Sequence, residues 1–131
     1  MTTLKTPKAA LYVRNSMPIQ TSANNLALQK QELVNFTQHV LKIDEYEIFE
    51  EIGYLAKDTN RPAYQQMLSQ MRNGEFSHLC VWKINRISRN IPDFIDLYKN
   101  ECKKNHVTFI TMDEQEPIND DFIEILEKFC F

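Results

Sequence analysis

Ser16 lies two residues after Arg14, and three further cations, Lys83, Arg86 and Arg89, fall within one short stretch with no acid among them. A hydroxyl flanked by guanidinium groups suits attack on a phosphate ester. Guanidinium forks bind non-bridging oxygens bidentately and oppose the charge that grows in a five-coordinate transition state. Nearby cations also favour the alkoxide, which makes serine a better nucleophile. No acidic cluster suggests a metal, so the arginines would do what Mg²⁺ does in many phosphoryl-transfer enzymes, and neither metal nor cofactor is expected.

Each piece alone has a plainer reading. A serine in a loop after a strand is usually a turn or cap residue. Arg86 and Arg89, three apart, could be one solvated helical face. Arg61, before Pro62, could be an ordinary surface residue. The phosphate reading depends on joint placement, and that depends on the elements that carry these residues.

Lys8 to Arg14 is a short apolar run ending in a charge, which predicts a buried strand. Alternation puts Ala10, Tyr12 and Arg14 on one face and Leu11 and Val13 on the other. A loop is expected from Asn15 to Ser22. Helical spacing of Leu26, Leu33, Phe36 and Val40 then predicts a helix from about Ala23 to Leu41, with Gln29 filling the gap in the apolar stripe and so pointing inward. Tyr46 to Glu51 reads as a second strand, and Ile52 to Asn60 as a loop.

Pro62 predicts the start of a helix, since its missing N–H costs nothing there. Tyr64, Met67, Leu68 and Met71 form its apolar stripe, and Gly74 supplies the stop. His78 to Trp82 predicts a third buried strand, running straight into Lys83, Asn85, Arg86 and Arg89. Pro92 opens a helix whose apolar face is Phe94, Ile95, Leu97, Tyr98 and Cys102, with Asn105 as its left-handed terminator. Val107 to Thr111 is a fourth strand. Asn119 caps a last helix, with Phe122, Ile125, Leu126 and Phe129 as its stripe, widened by Ile123 and Cys130. That pattern runs off the end at Phe131, as in a helix that continues further.

Alternating strands and helices predict an α/β fold, a mostly parallel central sheet with helices on both faces. Ligands of such sheets bind outside the carboxyl ends of the strands. That rule draws Arg14, Asn15 and Ser16 towards Lys83, Asn85, Arg86 and Arg89.

The 131 residues suffice for one domain. No stretch approaches a membrane span, and the N-terminus lacks the apolar core of a signal peptide, so a cytoplasmic protein without membrane contact is expected. Cys80, Cys102 and Cys130 form no CxxC pair and read as buried reduced thiols. His39, His78 and His106 lack ligand spacing, which argues against zinc. Net charge is −3, so an anionic partner must be gripped locally. Residues 113 to 127 hold seven acids and no base, opposite in sign to the cationic stretch.

Four ordered segments carry a resemblance: Tyr12-Val13-Arg14-Asn15-Ser16, Leu26-Ala27-Leu28-Gln29, Lys57-Asp58-Thr59-Asn60-Arg61-Pro62, and Trp82-Lys83-Ile84-Asn85-Arg86-Ile87-Ser88-Arg89. In order and spacing they resemble the catalytic domain of serine site-specific recombinases, the family of resolvases, invertases and large serine integrases. The third segment most resembles the large serine branch. The resemblance covers about residues 8 to 131.

It implies that Ser16 is the nucleophile, joined to the 5′ phosphate of cut DNA. Arg14, Arg86 and Arg89 would surround the scissile phosphate, and Arg61 would come from a mobile loop. Gln20, Gln29, Asn85 and Tyr12 would support them. The implied partners are double-stranded DNA and further copies of the chain, a homodimer assembling to a tetramer. The implied domain plan is an α/β core over residues 8–118, then the start of a long helix leading to a DNA-binding domain not contained in these residues. Residues 1–131 alone are therefore expected to bind DNA weakly and not to recombine.

Asn85 stands where the family commonly has aspartate, and an amide cannot exchange a proton as general acid or base. Glu51, Leu55-Ala56 and Met17 also depart from the usual pattern. The Asn85 and Leu55 substitutions are what supports the alternative, a catalytically decayed interaction module on the same fold. A flavodoxin-like signalling domain would want a phosphoacceptor aspartate at a strand tip, where this chain has serine and arginine.

Overall fold

The computed structural model describes residues 7–15, 20–52, 62–81, 91–112 and 117–129; at 14–15, 20–26, 51–52, 91, 93 and 129 it describes the backbone alone. The elements alternate: β1 (Lys8–Asn15), α1 (Gln20–Asn35), β2 (Glu45–Ile52), α2 (Pro62–Arg72), β3 (His78–Val81), α3 (Ile91–Asp96), β4 (Thr108–Thr111) and α4 (Asp120–Phe129). Wide π-type turns extend α1 through Phe36–Val40 and α3 through Leu97–Lys103.

All four strands are parallel, in the order β2-β1-β3-β4. The chain steps from β1 outward to β2, then crosses back over β1 to β3 and on to β4. Crossovers between parallel strands keep one hand, so reversing the direction of travel moves the connecting helix to the other face of the sheet. The packing follows that rule. One apolar cluster joins Leu33 of α1 to Ala9, Leu11, Val13 and Cys80. The opposite cluster joins Ala10, Tyr12, Leu79, Val81 and Phe109 to side chains of α2, α3 and α4. Ala9 to Val13 are wholly buried, as expected of a central strand covered on both faces. The expected fold, and the alternation of Ala10 and Tyr12 against Leu11 and Val13, are what the structure has.

Helix ends carry visible chemistry. Pro62 opens α2, and Gly74 closes it at φ 75°, a conformation that costs a residue with a Cβ about 1–2 kcal/mol. Asn119 Oδ1 accepts the backbone N–H of Phe122 at 2.9 Å, the N-cap bond expected of it. The third helix ends differently from expectation. His106, at φ 60°, is the left-handed residue, while Asn105 donates its side-chain amide to the Glu101 carbonyl at 2.7 Å.

Two apolar stripes are also corrected. Val40 is 61% exposed and Thr37 is buried instead. The π-type turn widens the helix beyond the ordinary repeat, so residues after Phe36 no longer fall on the inherited face. Thr37 stays satisfied there, its hydroxyl donating to the Leu33 carbonyl at 2.7 Å. On α4 the buried residue is Ile123, with Phe122 and Leu126 partly buried, whereas Ile125 is 54% exposed. The helix meets the domain along one edge of its stripe.

Candidate active site

β1 and β3 are neighbours at the centre of the sheet, where the strand order reverses direction. Tyr12 pairs with Phe49 on one side and with Val81 on the other. Beyond Tyr12, β1 continues through Val13, Arg14 and Asn15, which among the described residues pair with β2 alone. The carboxyl ends of β1 and β3 therefore share one edge of the domain. Because every connecting helix runs back antiparallel to its strands, the N-termini of α1 and α2 lie at the same edge. Backbone N–H groups and the positive ends of helix dipoles gather there, an arrangement that favours anions.

The candidate residues divide into three groups. Tyr12 and Gln29 have described side chains, and both are fully buried. Gln29 was expected to point inward from its place in the apolar stripe of α1, and it does. Arg14 is the penultimate residue of β1 and Gln20 the first of α1, with their side chains outside the described part. Gln20 thus begins the helix, three residues earlier than expected, instead of lying in the preceding loop. Ser16, Arg61, Asn85, Arg86 and Arg89 lie outside the described residues. By chain order Ser16 follows β1 directly, Arg61 precedes Pro62, and the stretch from Trp82 to Asn90 follows β3.

Two residues at this edge carry more than their place in the apolar pattern implied. Tyr64, read from the sequence only as part of the α2 stripe, packs edge-on against Tyr12, with ring centroids 5.7 Å apart and planes at 66°. An aromatic residue in the first turn of a helix that follows a strand-tip loop was the available signal. Thr111, the last residue of β4 and the register partner of Val81, is fully buried. Its hydroxyl has no hydrogen-bond partner among the described residues.

Away from this edge, titratable groups are tuned towards inertness. Burial pushes the Cys80 thiol up to about 12 and raises that of Cys102 as well. Both are free thiols, as expected; Cys130 lies outside the described residues. His78, half-buried on β3, has its pKa lowered by desolvation, which favours neutral imidazole. Ser77 Oγ lies 2.8 Å from His78 Nδ1 and also bridges to the Lys8 backbone, accepting from its N–H and donating to its carbonyl at 3.1 Å each. This seals the opposite, amino-terminal edge of β1 and β3. Among the described residues no group of acids, histidines and cysteines is placed to hold a metal ion, and no helix is long and apolar enough to cross a membrane.

The domain is a doubly wound parallel sheet whose strand order reverses between β1 and β3. The chain belongs to the family described as resolvase, N-terminal domain, whose model matches residues 9–130. Solved structures agree on the fold. The N-terminal catalytic domain of TP901-1 integrase superposes with a TM-score of 0.78 at 23% identity, covering 94% of this chain and 93% of that one. A resolvase family site-specific recombinase from Streptococcus pneumoniae gives 0.72 at 22% identity, over 95% of this chain and 85% of its own. A serine recombinase from Sulfolobus solfataricus gives 0.65 at 24%, over 94% and 82%. No curated protein matches in sequence.

Proposed function

We propose that this domain cuts and rejoins DNA as a serine site-specific recombinase. The observation that supports it most is the juxtaposition of β1 and β3 at the reversal point. Arg14 is the penultimate residue of β1 with Ser16 directly after that strand in the chain, and Arg86 and Arg89 follow β3 in the chain. Membership of the resolvase family points the same way.

In the proposed step, the Ser16 oxygen attacks a backbone phosphorus. A serine–phosphate ester forms, the bond to the 3′ oxygen breaks, and that oxygen leaves as a 3′ hydroxyl with a proton. Arg14, Arg86 and Arg89 neutralise the non-bridging oxygens, joined by Arg61 from before α2. Gln20, Gln29, Asn85 and Tyr12 support the site, with Asn85 acting by hydrogen bonding because its amide cannot take the serine proton. Attack of a 3′ hydroxyl on the serine ester reverses the chemistry. The ester retains the energy of the broken bond, so religation needs neither ATP nor metal.

Strand exchange requires two duplexes, and the proposed assembly is a pair of homodimers on double-stranded DNA. In this reading residues 8–118 are the catalytic core, against which α4, Asp120–Phe129, packs through Phe122, Ile123 and Leu126. Buried free thiols at Cys80 and Cys102 suit a reducing, cytoplasmic setting.

The test is trapping on a nicked recombination site with the full-length protein. A covalent protein–DNA adduct is expected at the 5′ phosphate, and Ser16→Ala should abolish it. An adduct that persists in Ser16→Ala would overturn the assignment of the nucleophile.

A further inference from the structure

Arg61 has to be held at a set distance from the tip of β1 if it shares a phosphate with Arg14 and Ser16. Arg61 is joined through its peptide bond to Pro62, the first residue of α2, so whatever docks the first turn of that helix sets the point from which Arg61 departs. Pro62 is exposed, Ala63 offers one half-buried methyl, and Gln65 and Gln66 are exposed. Tyr64 is the one large buried side chain of the turn, only 8% accessible. The remaining buried residues of the helix, Met67, Leu68 and Met71, lie further along, where α2 has descended from the carboxyl edge of the sheet.

Tyr64 meets Tyr12, which is fully buried in the central strand and held by β2 on one side and β3 on the other. Tyr12 is two residues from Arg14 and four from Ser16. An edge-to-face aromatic contact is directional: it fixes the angle of approach as well as the depth, which an aliphatic contact does not.

We propose that Tyr64 is a positioning residue for the strand-cutting reaction, holding the first turn of α2, and with it the attachment point of Arg61, against the strand that carries Arg14 and that Ser16 follows in the chain. This rests on the recombinase reading above. It assigns to an apolar-stripe residue a task beyond filling the core. Small misplacements of a catalytic group are costly in rate, so loss of the ring should be felt in the chemistry more than in the fold.

A matched control exists within the same apolar cluster. Phe49 and Phe76 also meet edge-on, with centroids 5.7 Å apart. Phe76, however, precedes β3 and packs near Lys8 at the amino-terminal edge. Phe76→Leu therefore removes an equivalent ring contact without touching the first turn of α2.

The experiment compares the full-length protein with its Tyr64→Phe, Tyr64→Leu and Phe76→Leu variants by three readouts: melting temperature, amide exchange over residues 63–67 without DNA, and the rate of adduct formation on a nicked site. Tyr64→Leu should slow adduct formation by about tenfold or more and speed exchange in the first turn, while Tyr64→Phe should stay within roughly twofold of the parent rate. Phe76→Leu should lower the melting temperature comparably yet leave both the rate and the exchange of residues 63–67 near the parent values. Rates that fall alike in Tyr64→Leu and Phe76→Leu, in proportion to lost stability, would overturn the proposal. So would a Tyr64→Phe loss equal to that of Tyr64→Leu, or first-turn exchange unchanged in Tyr64→Leu. If the parent protein forms no Ser16-dependent adduct, the recombinase reading fails by itself, and the exchange comparison still decides whether Tyr64 docks the turn.

Discussion

Cys80 and Cys102 show how burial decides the chemistry of a residue whose type alone is ambiguous. A thiol beside cations or at a helix N-terminus is a nucleophile; the same thiol in an apolar interior stays protonated. Here desolvation raises both, with Cys80 reaching about 12 although the neighbouring Thr37 hydroxyl partly opposes the rise. Neither is available as a nucleophile. The expected outcome of native-state alkylation, read by peptide mass spectrometry, is no modification at Cys80 or Cys102 at neutral pH and full modification after denaturation. Rapid native labelling of Cys80 would contradict its placement between α1 and the sheet.

Among the elements, α1 and α4 are where helical periodicity and actual burial part company. On α4 the domain takes up Ile123 and leaves Ile125 outward. Ile123→Ala should cost about 2–5 kcal/mol and Ile125→Ala under about 0.5 kcal/mol, measured by chemical unfolding of the protein as an isolated chain. Leu33→Ala against Val40→Ala should show the same contrast on α1, because the π-type turn carries Val40 off the buried face. Equal costs within either pair would mean that the apolar stripes read from the sequence, and not the packing in the structure, describe those helices.

For the molecule as a whole, α4 is joined to the domain by an electrostatic seam as well as by apolar contact. Asp120, at its start, accepts from Tyr98 Oη at 3.0 Å and from Lys103 Nζ at 2.9 and 2.8 Å, and Lys99 reaches Glu127 at 3.2 Å. Lys103 and then Tyr98 hold the Asp120 carboxyl below its ordinary 3.8. A carboxylate with a depressed pKa stabilises the fold above its unfolded value and loses that contribution as pH falls through the folded value. Asp120→Asn should therefore melt slightly below the parent protein at pH 7, with the difference closing as pH drops below about 3.8. A gap that stays constant down to pH 2 would assign the loss to capping or packing instead. Tyr98, pushed up to about 12 by burial and by Asp120, remains a donor throughout that range.

Much of this organisation was legible in the residues. Alternation, prolines at helix starts, Gly74 and Asn119 are local signals, because backbone sterics and capping bonds act over a few residues. They sufficed for the α/β class, for four strands in chain order, and for the inward amide of Gln29. The serine, the arginines and their order along the chain likewise belong to the sequence by itself, and so does the resemblance that assigns them roles. The tertiary structure decided what no local signal encodes: the order β2-β1-β3-β4, the pairing of Tyr12 with Val81, and the meeting of Tyr64 with Tyr12. It also decided that Val40 and Ile125 face outward while Thr37 and Ile123 face in. Those outcomes depend on which surfaces meet across the sheet, a sum of contacts between residues far apart in the chain, and periodicity along one helix carries no record of its partner.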